Sequence, residues 1–566
     1  MDIKQKIKNL IKEAFKNLKI ESKEILLEHP LDLKMGDYST NVAMVYAKQL
    51  KISPKDLAEK IVTKISSRQG LAEIEKVEVA GAGFINFYLS RDFFTENVAE
   101  ILKQKENFGK NDLLKGKKVM VEYTDPNPFK EFHIGHLMPN TIGESISRII
   151  EASGAEVKRA CYQGDVGLHV AKTVWAMKKE NIKLNDISIS VLGKMYAIGT
   201  KAYENEAEAK KEIEEINKKI YEKAPEVCEK YYLPGRKISL DYFETIYKRL
   251  GTKFDFYFFE SETGVLGKDI VEKNVGEVFE KSDGAIVFRG ENFHPSLHTR
   301  VFMNKEGLPT YEAKELGLAK IKYGRYPYTN SIVITGNEVN DYFKVLLEAM
   351  EQIFPDLAEK TKHISHGMLR LPAGKMSSRM GDVITAESLL NDISEKVIEK
   401  VKETNRGDMS DEFINQVAVS ALKYSILKQT IGGDIIFDFD KSISFEGDSG
   451  PYLQYSYARA RSILEKAKAE GIVPSFIDIP EEIFEIEKLI YRFPEIVLHS
   501  AEEYEPHHIA NYLIELARAF NTFYGNIKII DKDDITSAYK ITLTEAFSIV
   551  IKNGLNLLGI QAPERM

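Results

Sequence analysis

Two short motifs, far apart in the sequence, contain the residue types that could handle a nucleotide. They are His133-Ile134-Gly135-His136 and Lys375-Met376-Ser377-Ser378. In this order, on opposite halves of an α/β sequence, they predict two sides of one nucleotide-phosphate site and favour cleavage of ATP at its α-phosphate rather than its γ-phosphate. The chain contains no G-x-x-x-x-G-K-[ST] sequence, which argues against a P-loop NTPase.

The first motif could hold phosphate oxygens at the start of a helix. Gly135 has no Cβ, so a nucleotide can approach the backbone closely. A helix N-terminus offers unpaired N–H groups and a positive partial charge, and the imidazoles of His133 and His136 can donate hydrogen bonds as charge builds at the α-phosphorus. Taken alone, the motif fits a pair of histidines at an ordinary surface helix start equally well.

The second motif predicts a basic loop with glycines at both ends, residues 374–381. Lys375 can neutralise the leaving pyrophosphate as a point charge, and Ser377 and Ser378 can add hydrogen-bond donors. The alternative is an exposed basic loop without such a role. The apolar, strand-like stretch 366–371 directly before the loop favours the functional interpretation.

The elements that position these motifs follow the pattern of a doubly wound α/β fold. Strands are predicted at 118–124, 157–162 and 331–336, and a helix is predicted to start near His136, with Pro139 in its first turn. In this fold ligands bind at the C-terminal ends of the parallel strands, and the histidine motif follows one of them.

Changes in pattern along the chain predict three domains. Residues 1–110 form an α+β domain that begins with an amphipathic helix, and residues 111–405 form a Rossmann-like catalytic domain with a charge-rich insertion at about 180–300. Residues 406–566 form an all-α helical bundle. A core face in that bundle is predicted from helical spacing at Ile509, Tyr512, Leu513, Leu516, Ala517, Phe520 and Phe523.

The composition is that of a globular chain of several domains, and its overall charge gives no argument for nucleic-acid binding. The chain has 566 residues, 43% of them hydrophobic, and a formal net charge of −8, so any RNA-binding surface must be a local basic patch. Cys161 and Cys228 lie far apart, which argues against a zinc site or disulfides and fits a reducing, cytoplasmic compartment. We expect no targeting segment and no membrane span.

Longer segments resemble the arginyl-tRNA synthetases, a family of class I aminoacyl-tRNA synthetases. The segment V-E-Y-T-D-P-N at 121–127 looks like that family's V-E-F-S-S-P-N, and F-E-G-D-S-G-P-Y-L-Q-Y at 445–455 is similar to its F-E-G-D-T-G-P-Y-L-Q-Y block. The ending at 553–566 and the N-terminal stretches 36–41 and 80–86 also resemble the family. The resemblance therefore spans the whole chain.

The resemblance implies activation of L-arginine by ATP to arginyl-adenylate, followed by transfer to the 3′-terminal adenosine of tRNA(Arg). Mg²⁺ accompanies ATP as part of the substrate, no protein-bound metal or organic cofactor is expected, and the family is usually monomeric. It implies His133, His136 and Lys375 as catalytic residues. The residues implied in ATP binding are His133, Gly135, His136, Lys375, Met376, Ser377 and Ser378, and those implied in arginine binding are Glu122, Thr124, Asn127, His133, Tyr311 and Glu315.

The chain departs from the family pattern in the implied arginine pocket. Glu315 stands where the family usually has aspartate, and Val339 stands where it has a glutamine that contacts substrate. Asp125 replaces a serine, and Val166 replaces a tryptophan that is frequent in the family. Because a carboxylate at 315 keeps the charge that a guanidinium needs, we expect arginine recognition to survive with altered geometry.

Aromatic and basic residues alternate in the helix predicted after Pro451. Tyr452, Tyr455 and Arg459 lie at i, i+3 and i+7, and such side chains can stack on unpaired RNA bases. The alternative is an amphipathic helix whose tyrosines pack internally. With the resemblance, the N-terminal residues are expected at the tRNA elbow and the later ones at the anticodon arm. The candidate tRNA contacts are Tyr38, Asn41, Tyr452, Gln454, Tyr455, Arg459 and Met566.

Three other functions stay open at the level of the sequence. Val339 and Glu315 motivate a class I synthetase for another amino acid. A tRNA-independent nucleotidyltransferase of the same fold is a second alternative, although it has no need of the helical domain. A catalytically inactive tRNA-binding paralogue is the third, although an inactive site has no physical reason to keep both phosphate motifs.

Overall fold

The structure, a computed structural model, describes residues 3–21, 24–68, 71–371, 384–404 and 410–566. The helices and strands in these ranges form three regions that follow one another along the chain and pack together. None of the helices in these ranges has the length and apolar character that a membrane crossing requires.

The N-terminal region combines helices with a small antiparallel sheet. Helix α1 forms because its apolar side chains recur on one face, and that face is buried, as the sequence predicts. The sheet has the order β1-β3-β2. The elements of this region are α1 (Ile3–Asn17), β1 (Tyr38–Thr40), α2 (Val42–Leu50), α3 (Pro54–Ser66), β2 (Ile74–Ala80), β3 (Phe84–Leu89) and α4 (Arg91–Gln104).

The central region contains the parallel sheet and the helices around it. Its elements as far as the end of the antiparallel hairpins are β4 (Lys118–Glu122), α5 (Ile134–Ala152), β5 (Glu156–Gln163), α6 (Leu168–Lys179), α7 (Ile189–Asn205), α8 (Ala207–Tyr221), α9 (Pro225–Val227), α10 (Leu233–Leu250), β6 (Phe256–Phe259), α11 (Glu260–Lys273), β7 (Glu280–Ser282), β8 (Ala285–Arg289) and β9 (Thr299–Met303). The remaining elements are α12 (Tyr311–Arg325), β10 (Asn330–Gly336), α13 (Asn340–Ile353), α14 (Pro355–Lys360), β11 (Thr361–His366), β12 (Leu369–Arg370) and α15 (Ala386–Thr404).

The five-stranded sheet has the order β11-β10-β4-β5-β6, and every neighbouring pair is parallel. The strand order reverses direction beside β4, because the chain adds β5 and β6 on one side and β10 and β11 on the other. This is the doubly wound arrangement that the sequence predicts, and all five strands end at the same edge. The loops that carry the candidate site residues leave from that edge.

The stretch 180–300 is not a single insertion, which differs from the prediction. Strand β6 lies inside it and pairs with β5 at the edge of the parallel sheet. Helices α7 and α8 of this stretch pack with the preceding α6 around a separate apolar cluster, and β7, β8 and β9 form their own antiparallel sheet. The sequence of β6 is F-Y-F-F, four aromatic residues without alternation, so it gives no periodic signal of a strand.

Over residues 410–566, which the structure describes, the C-terminal region is helical apart from one short strand. Ile435 and Ile436 pair in parallel with Leu369 and Arg370, which links this region to the central one. The core face predicted on α21 is buried as expected. The elements are α16 (Asp411–Leu427), β13 (Ile435–Ile436), α17 (Phe439–Ser442), α18 (Gly450–Ala469), α19 (Glu485–Ile490), α20 (Phe493–Glu503), α21 (His507–Asn526) and α22 (Ser537–Leu557).

A partly buried cluster of charges fixes the N-terminal region against the helical one. Glu495 of α20 accepts a hydrogen bond from Lys4 Nζ at 2.9 Å and another from the Tyr38 hydroxyl, and His29 Nε2 lies 3.6 Å from it. Tyr491, although part of the helical region, is buried within the N-terminal apolar core. The two regions therefore share both a core and an ion-pair network.

Candidate functional site

The histidine motif forms the start of α5 through its own side chains. Nδ1 of His133 accepts a hydrogen bond from Gly135 N at 3.1 Å, and Nδ1 of His136 accepts one from His133 N at 3.3 Å. These bonds cap the helix, which begins at Ile134 and thus earlier than predicted. Pro139 consequently lies in the second turn rather than the first, where it removes the helical hydrogen bond to the Gly135 carbonyl.

The capping bonds determine which ring nitrogens can serve a ligand. Because both Nδ1 atoms accept from backbone N–H groups, each neutral ring carries its proton on Nε2. Burial lowers the pKa of His133 and lowers the pKa of His136 further, so both rings are neutral at pH 7. The two rings stack with centroids 3.7 Å apart. The motif therefore offers two neighbouring Nε2–H donors.

The chain that follows the second motif is bound directly to the first. Ile134 N donates to the Ile384 carbonyl at 3.1 Å, Ala386 N donates to the Phe132 carbonyl at 2.7 Å, and Thr385 forms a bridge with His133. Residues 384–386 are thus fixed beside the histidines. The candidates Lys375, Met376, Ser377 and Ser378 themselves lie outside the described residues.

Four carboxylates converge near the C-terminal ends of the strands. Glu122 ends β4, Asp125 lies in the loop after it, Glu260 begins α11, and Glu315 lies on α12. Lys322 Nζ is 2.7 Å from Oε2 of Glu122 in a pair that is almost fully buried. The sheet edge thus gathers negative charge from three separate parts of the chain.

Two lysines offset only part of this negative charge. Besides Lys322, Lys314 Nζ lies 2.5 Å from Oε2 of Glu260, and this pair is also buried. In the described part of the chain no basic side chain forms an ion pair with Asp125 or Glu315. Burial, together with the charge of Glu122, raises the pKa of both carboxyl groups well above their usual values. A cationic ligand would reverse that shift.

The loop after β4 holds the other arginine-binding candidates. Thr124 (φ +85°) and Asp125 (φ +45°) both adopt left-handed backbone conformations. Oγ1 of Thr124 accepts a hydrogen bond from Asn140 Nδ2 at 3.0 Å. Asn127 faces Gly164, where an added Cβ would lie 2.4 Å from the Asn127 Oδ1 atom. A glycine after β5 is therefore required for Asn127 to keep its position.

Tyr311 and Glu315 lie one turn apart on α12, as predicted, but differ in exposure. Tyr311 is 60% exposed, whereas Glu315 is half-buried. Helix α12 is held very close to α11, because an added Cβ on Gly267 would lie 1.9 Å from the Ala313 carbonyl oxygen. This close contact of helix backbones sets the distance between Glu315 and the carboxylates on the sheet side.

Two tyrosines near Glu315 were missed by the sequence analysis. Burial, followed by the charge of nearby carboxylates that include Glu315, raises the pKa of both Tyr162 and Tyr342 well above the usual value. Tyr162 donates to or accepts from Thr263 Oγ1 at 2.8 Å. Tyr162 is at the end of a strand, the only signal in the sequence that could have indicated it. Tyr342 gave no such signal.

Asp165 is a second residue that the sequence analysis did not assign. It is fully buried after β5 and accepts hydrogen bonds from Arg236 Nε at 2.7 Å, from Ser261 N and Oγ at 2.9 and 2.8 Å, and from the Tyr232 hydroxyl at 3.2 Å. With four donors on its carboxylate, Asp165 joins β5, α10 and α11. It supports the site rather than facing a ligand. Its place directly after a strand was the available signal.

Two of the predicted tRNA contacts are buried, which contradicts that role in this conformation. Tyr38 is fully buried and donates its hydroxyl to Glu495. Gln454 is also fully buried, and its Nε2 donates to the Gln561 carbonyl at 2.7 Å. Both side chains hydrogen-bond to other parts of the chain. Neither has a surface that RNA could reach.

The other predicted contacts are partly accessible. Asn41 precedes α2, Tyr452 accepts a hydrogen bond from Asn521 Nδ2 at 2.9 Å, and Met566 packs on the helical core. These three side chains are half-buried.

Tyr455 and Arg459 form a stacked surface with a residue that the sequence analysis did not single out. The guanidinium of Arg459 lies 4.7 Å from the ring centre of Tyr455 and 4.9 Å from that of Tyr524, which is 46% exposed. A planar cation between two aromatic rings is a suitable surface for stacking an unpaired base.

Comparison with family models finds three matches along the chain. Residues 97–439 match the model described as tRNA synthetases class I (R), catalytic domain. Residues 1–89 match an arginyl tRNA synthetase N terminal domain, and residues 453–566 match a DALR anticodon binding domain.

Full-length relatives and solved structures agree with these matches. The chain is 33% identical to an arginine–tRNA ligase from Treponema denticola, over 97% of this chain and 96% of the relative, and 32% identical to one from Clostridium acetobutylicum over the whole of both. The fold is similar to that of Thermus thermophilus arginyl-tRNA synthetase, with a TM-score of 0.78 at 24% identity, covering 99% of this chain and 100% of that one. It is also similar to the Plasmodium falciparum enzyme, with a TM-score of 0.76 at 21% identity, covering 100% and 99%.

Proposed function

This chain belongs to the class I arginyl-tRNA synthetase family, and from this premise we propose how its site joins L-arginine to tRNA(Arg). The enzyme is an arginine–tRNA ligase that uses ATP and releases pyrophosphate and AMP. The observation that carries the substrate assignment is that carboxylates outnumber lysines at the sheet edge. The same edge carries the histidine motif, whose N–H groups can donate hydrogen bonds to phosphate oxygens. That combination suits a substrate with a cationic end and a reacting carboxylate end.

Arginine binds with its guanidinium among Glu122, Asp125 and Glu315. The guanidinium is planar and always charged, and its N–H donors suit paired carboxylate oxygens. Asp125 and Glu315 gain most from binding a cation, because burial and the charge of Glu122 raise the pKa of both groups and a guanidinium offsets both causes. Tyr311, Thr124, Asn127 and His133 are proposed to border the remainder of the amino acid.

ATP, entering as its Mg²⁺ complex, binds against the start of α5. His133 and His136 donate from Nε2 to phosphate oxygens, and Gly135 allows close approach to the backbone. An oxygen of the arginine carboxylate attacks the α-phosphorus, which forms arginyl-adenylate, and the bond to pyrophosphate breaks. Catalysis is then positioning and charge stabilisation, so no serine or cysteine nucleophile is required.

Lys375, Met376, Ser377 and Ser378 are proposed to contact the pyrophosphate side of ATP. The hydrogen bonds between 384–386 and the histidine motif support this, because they bring the chain after the second motif to the first. Lys375 supplies the positive charge that the leaving pyrophosphate needs.

The proposed anticodon-arm surface contains Tyr452, Tyr455, Arg459, Tyr524 and Met566. Stacking of an unpaired base on the Tyr455–Arg459–Tyr524 group would give affinity without requiring a basic chain overall. Asn41 remains a proposed contact to the elbow of the tRNA. We further propose that the enzyme acts as a monomer in the cytoplasm.

The deciding experiment is charging of total tRNA with radiolabelled arginine against a panel of other amino acids. We expect charging with arginine and a signal at least a hundredfold smaller with the others. ATP–pyrophosphate exchange with and without tRNA, run in parallel, separates activation from transfer. Charging with a different amino acid would mean that Val339 and Glu315 changed the specificity, and no exchange with any amino acid would contradict catalysis.

A further inference from the structure

A group of histidines and carboxylates lies at the turn between α20 and α21, in the helical region. His499 and Glu503 are one helical turn apart on α20, and His508 is the second residue of α21. One ligand atom from each of the three lies within 4.8 Å of the other two. Over residues 3–21, 24–68, 71–371, 384–404 and 410–566 this is the one group with that arrangement.

The carboxylate of Glu503 lies close to both histidines and is hydrogen-bonded to His508. Oε2 of Glu503 is 2.7 Å from Nε2 of His508 and 3.6 Å from Nε2 of His499. Zn²⁺ holds imidazole nitrogen and carboxylate oxygen at about 2.0–2.2 Å, which places ligand atoms about 3–3.5 Å apart. The observed separations lie on both sides of that spacing. Because the side chains of His499 and Glu503 are half exposed, small rotations can bring all three atoms to it.

The turn that carries the three ligands is held rigidly by its backbone. Ser500 Oγ donates to the Glu505 carbonyl at 2.7 Å, and Glu505 N donates to the Ser500 carbonyl at 3.1 Å. Tyr504 between them is left-handed, with φ +61°. His507, next in sequence to His508, pairs instead with Glu505 at 3.0 Å. The ligand set is therefore preformed in its backbone and does not include His507.

We propose that His499, Glu503 and His508 bind one divalent transition-metal ion of the Zn²⁺ class, with water completing its coordination. Neutral imidazole and carboxylate are ligands that suit such ions, and no thiolate is needed. The ion ties the end of α20 to the start of α21 and so has a structural role, apart from the activation of arginine. The sequence-based expectation of no metal site rested on the two cysteines and did not weigh these histidines.

The test titrates the full-length, chelator-stripped protein with Zn²⁺ by calorimetry and with Co²⁺ by visible absorption. We expect one ion per chain and a Co²⁺ d–d band. His499→Ala and His508→Ala should each weaken Zn²⁺ binding at least tenfold and remove the Co²⁺ band. His294→Ala, a substitution of an exposed histidine in the central region, is the matched control and should keep both signals.

Thermal unfolding separates a metal site from damage to the fold. Without metal, all three variants should unfold close to the wild-type Tm, because His499 and His294 are exposed and His508 gives up a hydrogen bond to the exposed Glu503. Zn²⁺ should raise the Tm of the wild type and of His294→Ala, but not that of His499→Ala or His508→Ala. Equal Zn²⁺ affinity in the wild type and both cluster variants, or the same Tm rise in all of them, would overturn the proposal.

Discussion

Two clusters of buried charge in this chain differ in how completely their carboxylates are matched by cations. Under the N-terminal region burial opposes ionisation of Glu495, but His29 and the other donors around it prevail and lower its pKa to about 2. At the sheet edge, burial and neighbouring carboxylates raise the pKa of Asp125 and Glu315 well above their usual values. The same residue types therefore have pKa values shifted in opposite directions.

This difference separates a cluster that stabilises the fold from one that is prepared for a ligand. A buried carboxylate surrounded by donors has lost little by leaving water, so Glu495 can join two regions of the chain. For a buried carboxylate without a cation, the free energy lost by desolvation is not offset until a ligand supplies the missing positive charge. The sign of the pKa shift thus indicates which buried charges belong to the proposed arginine pocket.

The largest expected effect on stability comes from removing Lys322, the cation that is paired with Glu122 in the proposed pocket. Lys322→Met leaves Glu122 buried without its partner, and breaking a buried pair in this way costs roughly 3–5 kcal/mol. The free energy of unfolding, measured by urea titration, should fall by that amount. The double variant Glu122→Gln/Lys322→Met should recover most of the loss, since no unpaired charge remains. No recovery would mean that Lys322 acts through packing alone.

Removing an unmatched carboxylate should affect arginine rather than the fold. Glu315→Gln leaves the guanidinium poorly paired, and kcat/KM for arginine in the exchange reaction should fall roughly 100-fold, mainly through KM. Glu351→Gln, which changes an exposed glutamate on α13, should leave both constants unchanged. An unaltered KM in Glu315→Gln would remove this residue from the pocket.

The cluster around Glu495 should lose its stabilising effect in acid. The folded pKa of Glu495, about 2, lies below its usual value of 4.5, so its stabilising effect is present above pH 4.5 and disappears as the pH falls towards 2. At pH 7, Glu495→Gln should lower the free energy of unfolding by about 1–2 kcal/mol, allowing for partial exposure to solvent.

The comparison of wild type and Glu495→Gln across pH makes this prediction specific. The two stabilities should converge as the pH approaches 2, while Glu485→Gln, on the exposed side of α19, should match the wild type throughout. A difference between wild type and Glu495→Gln that is independent of pH would show that the loss does not come from the carboxylate charge.

The smallest expected effect is a release of protons when arginine binds. A guanidinium favours the ionised forms of Asp125 and Glu315, so a carboxyl group that is protonated in the empty pocket loses its proton on binding. Calorimetry in buffers of different ionisation enthalpy should detect up to about one proton per arginine, and affinity should rise with pH. A heat of binding that does not depend on the buffer would contradict raised pKa values in the pocket.

Local periodicity explains which parts of the fold the sequence could predict. Helix α1 and the core face of α21 repeat at helical spacing, and β4 and β10 contain apolar runs bounded by turn residues, while β5 carries charged residues in its first half and ends at the Gln163-Gly164 turn. These signals lie within a few residues of one another, so they need no knowledge of the rest of the chain. The parallel sheet and the place of its ligand-binding edge follow from them.

Contacts between distant residues explain the parts that the sequence could not predict. Helix α5 starts early because two imidazoles cap it, and a capping role is not implied by the residue type. Lys322 pairs with Glu122, which is 200 residues away, and Tyr38 is covered by α20 of another region. Burial of such polar side chains depends on the assembled fold, so the resemblance to the family implies which residues line the proposed pocket but not its internal charge balance.

Tyr491 has a practical consequence for attempts to divide this enzyme. Its ring belongs to the helical region but lies against Phe93 and Phe94, with ring centroids 5.4 and 5.7 Å away. Proteolysis that removes the chain before residue 97 would uncover this ring together with Glu495. The remaining fragment would then expose an aromatic and acidic surface that tends to associate with other chains. The excised N-terminal piece, added back as a separate polypeptide, should bind to that surface.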